Sequence, residues 1–292
     1  MSTTHSHASR PASLITGVVL LLTSVLSFGT AQAADSTATH RSFFATIGSD
    51  IAVVWSDVGP YFTAPLHYDG TDWRNTAIVV GGTGVLMPLD SAGRHASLTS
   101  SQSASMQDFM NLATHYGDIY AIGGACAVTY LGGLAFGSED LRVTGRELIE
   151  TLALAGVTTT VVKYALGRSR PFTGDGSYSF HPFSFNDARF SMPSGHTTVA
   201  FAISSVLAAR IDHPIATVLL YGAAATTAFS RMYHDKHWLS DTFLGAAIAT
   251  TTGLWVVHRD ERRKNNEASH PLDQSGLEIT PSLGGLSLSY HF

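Results

Sequence analysis

Cysteine is almost missing from the 292-residue chain, with Cys126 standing alone. No intrachain disulfide is therefore available, and a single thiol inside "DIYAIGGACAVTYLGG" reads as core. Charge is scarce as well. Asp, Glu, Lys and Arg together make up 13% of residues, about half the usual share. The net charge is −5 and the basic residues are scattered, so nucleic-acid binding has no electrostatic footprint. "GGTG" at Gly81–Gly84 lacks both the Gly-Lys-Ser/Thr ending of a phosphate loop and the dinucleotide spacing, and reads as helix-packing glycine. The chain carries no paired-cysteine metal site, no His-Glu-x-x-His and no internal repeat.

Apolar residues, at 45%, are what the chain has in quantity, and the mean hydropathy is +0.14. That value is high for a soluble protein and low for a bundle of membrane spans. At the N-terminus, Arg10 precedes "SLITGVVLLLTSVLSF", and Ala31-Gln32-Ala33 forms a small-x-small cleavage site. This is the layout of a secretory signal peptide over residues 1–33, which places the mature chain in the periplasm or another extracytoplasmic space.

Residues 34–74 read as a short helix and an irregular arm. Six apolar stretches follow, over 75–90, 107–137, 144–167, 194–211, 214–232 and 239–258, each bounded by Gly, Pro or charge. They lack strand alternation and predict an all-α bundle of about six core helices spanning 75–258, with an active site at one end. The 91–105 connection reads as a polar loop. The 168–193 connection is longer and carries aromatics, as a lid over a binding site would. Residues 259–292 read as a charged, solvated tail ending in a short strand-like segment, "LSLSYHF".

Three segments are polar where the pattern calls for apolar residues. They are "KYALGRSRP", with Lys163 and Arg170; "PSGH", Pro193 to His196; and "SRMYHDKHWLSD", with Arg231, His237 and Asp241. Each lies at a helix end, and in an up-and-down bundle those ends share one face. Lys163, Arg170 and Arg231 there suit a multiply charged oxyanion, phosphate before carboxylate. Gly195 admits a close backbone approach, and Ser194 caps a helix and can donate to an oxygen. His237 and Asp241, four apart, are within reach of a carboxylate–imidazole hydrogen bond that would leave the other ring nitrogen free to attack phosphorus. His196 then suits the general acid. The residues alone leave open which histidine attacks.

Lys163-x6-Arg170-Pro171, Pro193-Ser194-Gly195-His196 and Ser230-Arg231-x5-His237-x3-Asp241 together resemble the three-part signature of the type 2 phosphatidic acid phosphatase (PAP2) and haloperoxidase superfamily. The resemblance covers about residues 110–258. It implies a phosphatase that needs no metal or other cofactor and works through a phosphohistidine. By it His237 is the nucleophile, Asp241 its partner and His196 the acid, with Lys163, Arg170, Ser194, Gly195 and Arg231 holding the phosphate. His234, Asp235 and Lys236 fall outside the signature and read as rim, and His258 lies beyond the far end of the sixth helix.

The superfamily contains integral lipid phosphatases, soluble secreted acid phosphatases and vanadate-dependent haloperoxidases. The aromatic loop and apolar helices point to a phosphorylated lipid such as phosphatidate or an isoprenyl phosphate. A broad-specificity soluble acid phosphatase acting on small phosphoesters is the alternative, and a haloperoxidase the third reading. Helices 214–232 and 239–258 are nearly long enough to span a membrane, while low leucine favours a bundle with one greasy face resting on a membrane surface.

Overall fold

The computed structural model describes residues 43–269, 277–282 and 285–290; the expected signal peptide lies outside them. Among the described residues, nine α-helices run in chain order: α1 (Phe43–Thr63), α2 (Gly70–Leu86), α3 (Asp90–Leu98), α4 (Ala104–His115), α5 (Ile119–Phe136), α6 (Glu139–Leu166), α7 (Gly195–Ile211), α8 (Pro214–Tyr233) and α9 (Leu239–Ser269). A two-stranded antiparallel sheet follows, β1 (Leu277–Ser282) and β2 (Gly285–Tyr290), with Leu277 opposite Tyr290. The fold class is all-α, as expected.

Helix boundaries follow side-chain chemistry at the ends. Asp118, Ser138 and Ser194 accept hydrogen bonds from backbone amides in the first turns of α5, α6 and α7, satisfying donors that the helix itself leaves unpaired. Gly137 and Gly167 close α5 and α6 in left-handed backbone, at φ 67° and 57°, where a Cβ would be strained.

α7 is the central helix. Ala200, Ala202, Ser204, Ser205 and Val206 are all fully buried, and small side chains let neighbours approach from every side. Gly253 of α9 is one such contact, since a Cβ there would lie 2.1 Å from Ser205 Oγ. Ile122 and Cys126 of α5, Leu148 of α6, four residues of α7 and Val257 of α9 form one apolar cluster.

Four expectations change. The 107–137 stretch is two helices, because Tyr116-Gly117-Asp118 turns the chain and Asp118 caps a new start. The 91–105 loop is helical over Asp90–Leu98, a short segment poor in apolar residues that tertiary contacts hold in place. Residues 43–63 form one long helix rather than a short helix and an arm. The sixth expected helix continues past 258 to Ser269.

The last two changes share a cause. α1 turns its carboxylates inward and many of its apolar side chains outward: Asp50 and Asp57 are buried, while Phe44, Ile51 and Trp55 are 80%, 63% and 77% exposed. Asp50 pairs with Arg142 and Arg146 of α6, and Asp57 with Arg259 and Arg263 of α9. Asp260 meets Arg146, and Glu147 of α6 meets Arg210 at the end of α7. The charged stretch after His258 is thus helical because its side chains are partners in a buried network. Beside it, burial and the charge of Asp57 push the Glu150 carboxyl up to about 8. It is therefore chiefly protonated at neutral pH, which suits a buried side chain whose Oε1 has no partner.

Glu147 is fully buried with the Arg210 fork as its counter-ion. Arg210→Met should cost about 3–5 kcal/mol, the range for stranding one member of a buried pair. Pairing it with Glu147→Leu should restore most of that, because no charge is then left uncompensated. Denaturant unfolding of both variants checks this; equal losses would show that the charges are not the cause.

Candidate active site

Four helix ends meet at the end of the bundle away from the α1 network. Lys163 sits in the last turn of α6, and Arg170 follows after Gly167. Ser194 caps α7, and its backbone N–H donates to the Asp241 carbonyl at 2.9 Å, joining the starts of α7 and α9. Ser230 and Arg231 end α8, and Asp241 lies in the first turn of α9. A Cβ on Gly195 would lie 3.9 Å from Lys163 Cε, so the lysine stem passes over bare backbone. His196 is held from below by Gly117, where a Cβ would come within 2.4 Å of the His196 carbonyl oxygen.

The cations are held to different degrees. Lys163 Nζ donates to the Phe190 carbonyl at 2.7 Å. Arg170 grips Asp187, donating from Nε to its carbonyl at 3.0 Å and from Nη2 to Oδ1 at 2.9 Å. Arg231 differs: its Nε is buried without a partner, and among the described residues no carboxylate pairs with it. Burial and the nearby Arg170 charge push its guanidinium down to about 10. Burial, only partly offset by Asp241, likewise pushes Lys163 down to about 8. Cations crowded together and desolvated are each destabilised until an anion arrives.

His237 is buried, and its Nδ1 donates to the Ser191 carbonyl at 2.7 Å. A carbonyl only accepts, so Nδ1 carries the hydrogen and Nε2 presents its lone pair. The expected direct bond to Asp241 is absent. Asp241 Oδ2 lies 3.7 Å from Nδ1 and instead accepts from Ser191 Oγ at 2.5 Å and from the Trp238 amide at 2.8 Å. The spacing misled because His237 precedes the first residue of α9, so the pair is not presented on one helical face. Asp241 reaches His237 through Ser191. Burial, against the pull of Asp241, pushes the His237 imidazole down to about 3.

His196 is half-buried, and burial with the charge of Arg231 pushes it down to about 4. Ser194 is fully buried; its Oγ accepts from the Thr197 amide and hydroxyl, at 3.5 and 3.0 Å. It caps α7 as expected. Ser230 Oγ donates to the Thr227 carbonyl at 2.7 Å and steadies the α8 terminus. Of the residues read as rim, Asp235 takes a two-pronged ion pair from Arg94, and Lys236 Nζ sits 4.7 Å from the Phe172 ring centre in the aromatic connection.

The sequence reading missed Arg168, Ser191, Asp187 and Asp90. Arg168 is fully buried and donates to Asp241 Oδ1 at 2.7 Å and to Asp90 Oδ2 at 2.5 Å. Its only signal was a second arginine in "GRSRP". Among the described residues, no group of three or more His, Cys, Asp or Glu side chains is placed to hold a metal ion.

A family model described as the PAP2 superfamily matches residues 145–265. That match takes in His196, His237 and Asp241 and every other site residue expected from the sequence. Two curated relatives are lipid A 1-phosphatases. That of Porphyromonas gingivalis is 35% identical over 110 residues, covering 36% of this chain and 22% of the relative. That of Rhizobium johnstonii is 33% identical over 113 residues, covering 38% and 44%. The chain thus spans less than half the length of either relative. A solved structure of a transmembrane PAP2-type phosphatidylglycerolphosphate phosphatase from Bacillus subtilis superposes with a TM-score of 0.53 at 19% identity, over 65% of this chain and 95% of that one. The likeness is one of fold, a helical bundle.

After burial, the charge of Arg231 does most to hold His196 down. In Arg231→Gln, removing that positive neighbour favours the imidazolium, so His196 should titrate at higher pH while remaining below a free histidine because it stays buried. NMR titration of ring-labelled histidine reads the shift, and a fall in the His196 value would contradict the arrangement.

Proposed function

We propose that this protein is a PAP2-type phosphoric monoester hydrolase that removes phosphate from a lipid through a phosphohistidine. The observation that carries the reading is the buried, unpartnered Arg231 beside Lys163, Arg170 and the two histidines. An anion with several oxygens supplies the acceptors these donors lack.

In this mechanism the phosphate settles among Lys163, Arg170 and Arg231 at the start of α7, with Gly195 allowing a close backbone approach. His237 Nε2 attacks phosphorus, and the bond to the ester oxygen breaks. His196 gives that leaving oxygen its proton, then takes one from the water that cleaves the phosphorus–nitrogen bond. Asp241, acting through Ser191, holds the His237 ring and favours its positive charge. Because both imidazoles are neutral near pH 7 in the unliganded protein, the attacking nitrogen is ready and the proton for His196 arrives with the substrate monoanion. Three cations spread charge over the transferring group, and no resident metal is called for.

A lipid substrate follows from the surroundings. Phe172, Tyr178, Phe183 and Phe185 of the 168–193 connection are exposed, a platform suited to an apolar body. Tyr120, Phe136, Val218 and Leu219 expose apolar surface on α5 and α8, more than a soluble monomer ordinarily tolerates when contiguous. Two helices, α5 and α6, are long and apolar enough to cross a membrane, rather than the 214–232 and 239–258 segments singled out by sequence. We read the protein as membrane-associated and extracytoplasmic, acting on a phosphorylated lipid such as phosphatidate, an isoprenyl phosphate or a lipid A-type headgroup. The catalytic unit is the helical bundle, with residues 1–33 a leader and the sheet beyond α9 an appendage.

His237→Ala should abolish turnover of short-chain phosphatidate, and wild-type turnover should survive a chelator and exceed that of p-nitrophenyl phosphate. Full activity in His237→Ala would sink the mechanism; a preference for p-nitrophenyl phosphate would sink the lipid assignment. The pH profile is a separate check. A phosphate monoester loses its second proton near pH 6, so kcat/KM should fall tenfold per unit above about pH 6, since the proton delivered with the substrate is then lost. A rate rising towards pH 8 would contradict this.

A further inference from the structure

The helix α3, with the turn after it, lies ahead of residue 145, where the PAP2 match begins, yet it lies against the third signature segment along its length. A Cβ on Gly93 would sit 3.4 Å from Leu239 Cβ. Arg94 forks onto Asp235, and Ser97 Oγ donates to the Met232 carbonyl at 3.3 Å. Tyr233 Oη donates to the Ser101 carbonyl at 3.2 Å and to Gln102 Oε1 at 2.9 Å.

Asp90, fully buried at the first turn of this strap, is its innermost contact. Its Oδ1 accepts from the Ser240 amide at 2.9 Å, and its Oδ2 from Ser240 Oγ at 2.7 Å and Arg168 Nη2 at 2.5 Å. Arg168 Nη1 continues to Ser240 Oγ and Asp241 Oδ1, both at 2.7 Å. From Asp241 Oδ2 the path runs to Ser191 Oγ, and the Ser191 carbonyl holds His237 Nδ1.

We propose that Asp90 is a positioning residue for the hydrolysis, orienting His237 through Arg168, Asp241 and Ser191. The proposal rests on the phosphatase reading above. Asp90 touches neither substrate nor reacting atoms. It supplies the second carboxylate that keeps Arg168 in its buried position, and it anchors the backbone at the start of α9. A carboxylate is required rather than any acceptor, because every group facing Asp90 here is a donor; an amide would turn its own N–H toward one of them.

Asp90→Asn should lower kcat about 10- to 100-fold, the range seen when outer partners of a functional site's ligands are removed. The inhibition constant for inorganic phosphate should change less than about threefold, because Lys163, Arg170 and Arg231 form no part of the relay. Rates are taken per phosphate-binding site, so loss of folded protein does not imitate the effect. In ring-labelled protein the His237 resonances should move while those of His196 stay. That readout needs no turnover and tests the relay independently of the phosphatase reading, which fails if the wild type hydrolyses no phosphoester. An unchanged kcat per site, unmoved His237 resonances, or phosphate affinity falling in step with kcat would overturn the proposal. Should Asp90→Asn not fold, Ser240→Ala decides: it removes one hydroxyl between Asp90 and Arg168 and leaves every charge in place. Support is a lower kcat at unchanged phosphate affinity with moved His237 resonances; no change in either overturns it.

Discussion

The constraint on which the site depends is the burial of Arg168 between Asp90 and Asp241, all three without solvent exposure. Taking three charges out of water costs several kcal/mol per ion, and attraction offsets that only when every lone pair and hydrogen is satisfied. Here they are. Arg168 donates from Nε, Nη1 and Nη2 to Ser177, Ser240, Asp90 and Asp241, while the remaining oxygens accept from Ser191, Ser240 and Trp238. Small displacements of any of these segments break more than one bond. The triad therefore fixes the start of α9, the loop after α6 and the strap at α3 relative to one another.

The two ends of the bundle use charge differently. At the α1 end each of Arg142, Arg146, Arg210, Arg259 and Arg263 faces a carboxylate, so that end is a structural network. At the other end, among the described residues, Arg231 has no carboxylate, and Lys163 and Arg170 crowd it. Stability does not account for that arrangement, since an unpaired buried cation is costly. On the function proposed above, a bound oxyanion would relieve it. The contrast separates cations paired with carboxylates at one end from a buried cation left without one at the other.

Much of the site was legible because it consists of side chains whose types are out of place in apolar helices, at helix ends that a bundle brings together. What was hidden has physical reasons. Ser191 acts through its backbone carbonyl as well as its hydroxyl, and a carbonyl leaves no mark in a sequence. The His237–Asp241 spacing suggested a helical pair, but helical geometry begins only at Leu239. α3 is nine residues long and poor in apolar side chains, and is held largely by polar contacts to the third motif, so it read as a loop. α1 was unreadable by the usual rule, since its carboxylates are the buried residues and Trp55 faces outward. A segment whose exterior is apolar reverses the pattern from which a soluble helix is recognised.

The same three helices carry both ends. α6 holds Arg146 and Glu147 near its start and Lys163 in its last turn; α7 runs from Ser194 to Arg210; α9 runs from Asp241 through Asp260. Lys163 stands about 25 Å along α6 from Arg146, at 1.5 Å of rise per residue. Apolar packing alone tolerates sliding of one helix along another, because the ridges repeat with each turn of about 5.4 Å. Ion pairs do not repeat in this way: a slip of one turn would strand Glu147 from Arg210 and Asp260 from Arg146. The distal network therefore sets the axial register of α6, α7 and α9. That register determines whether Lys163, His196 and Asp241 arrive at the same depth, so the carboxylates farthest from the phosphate cage are among the groups that shape it.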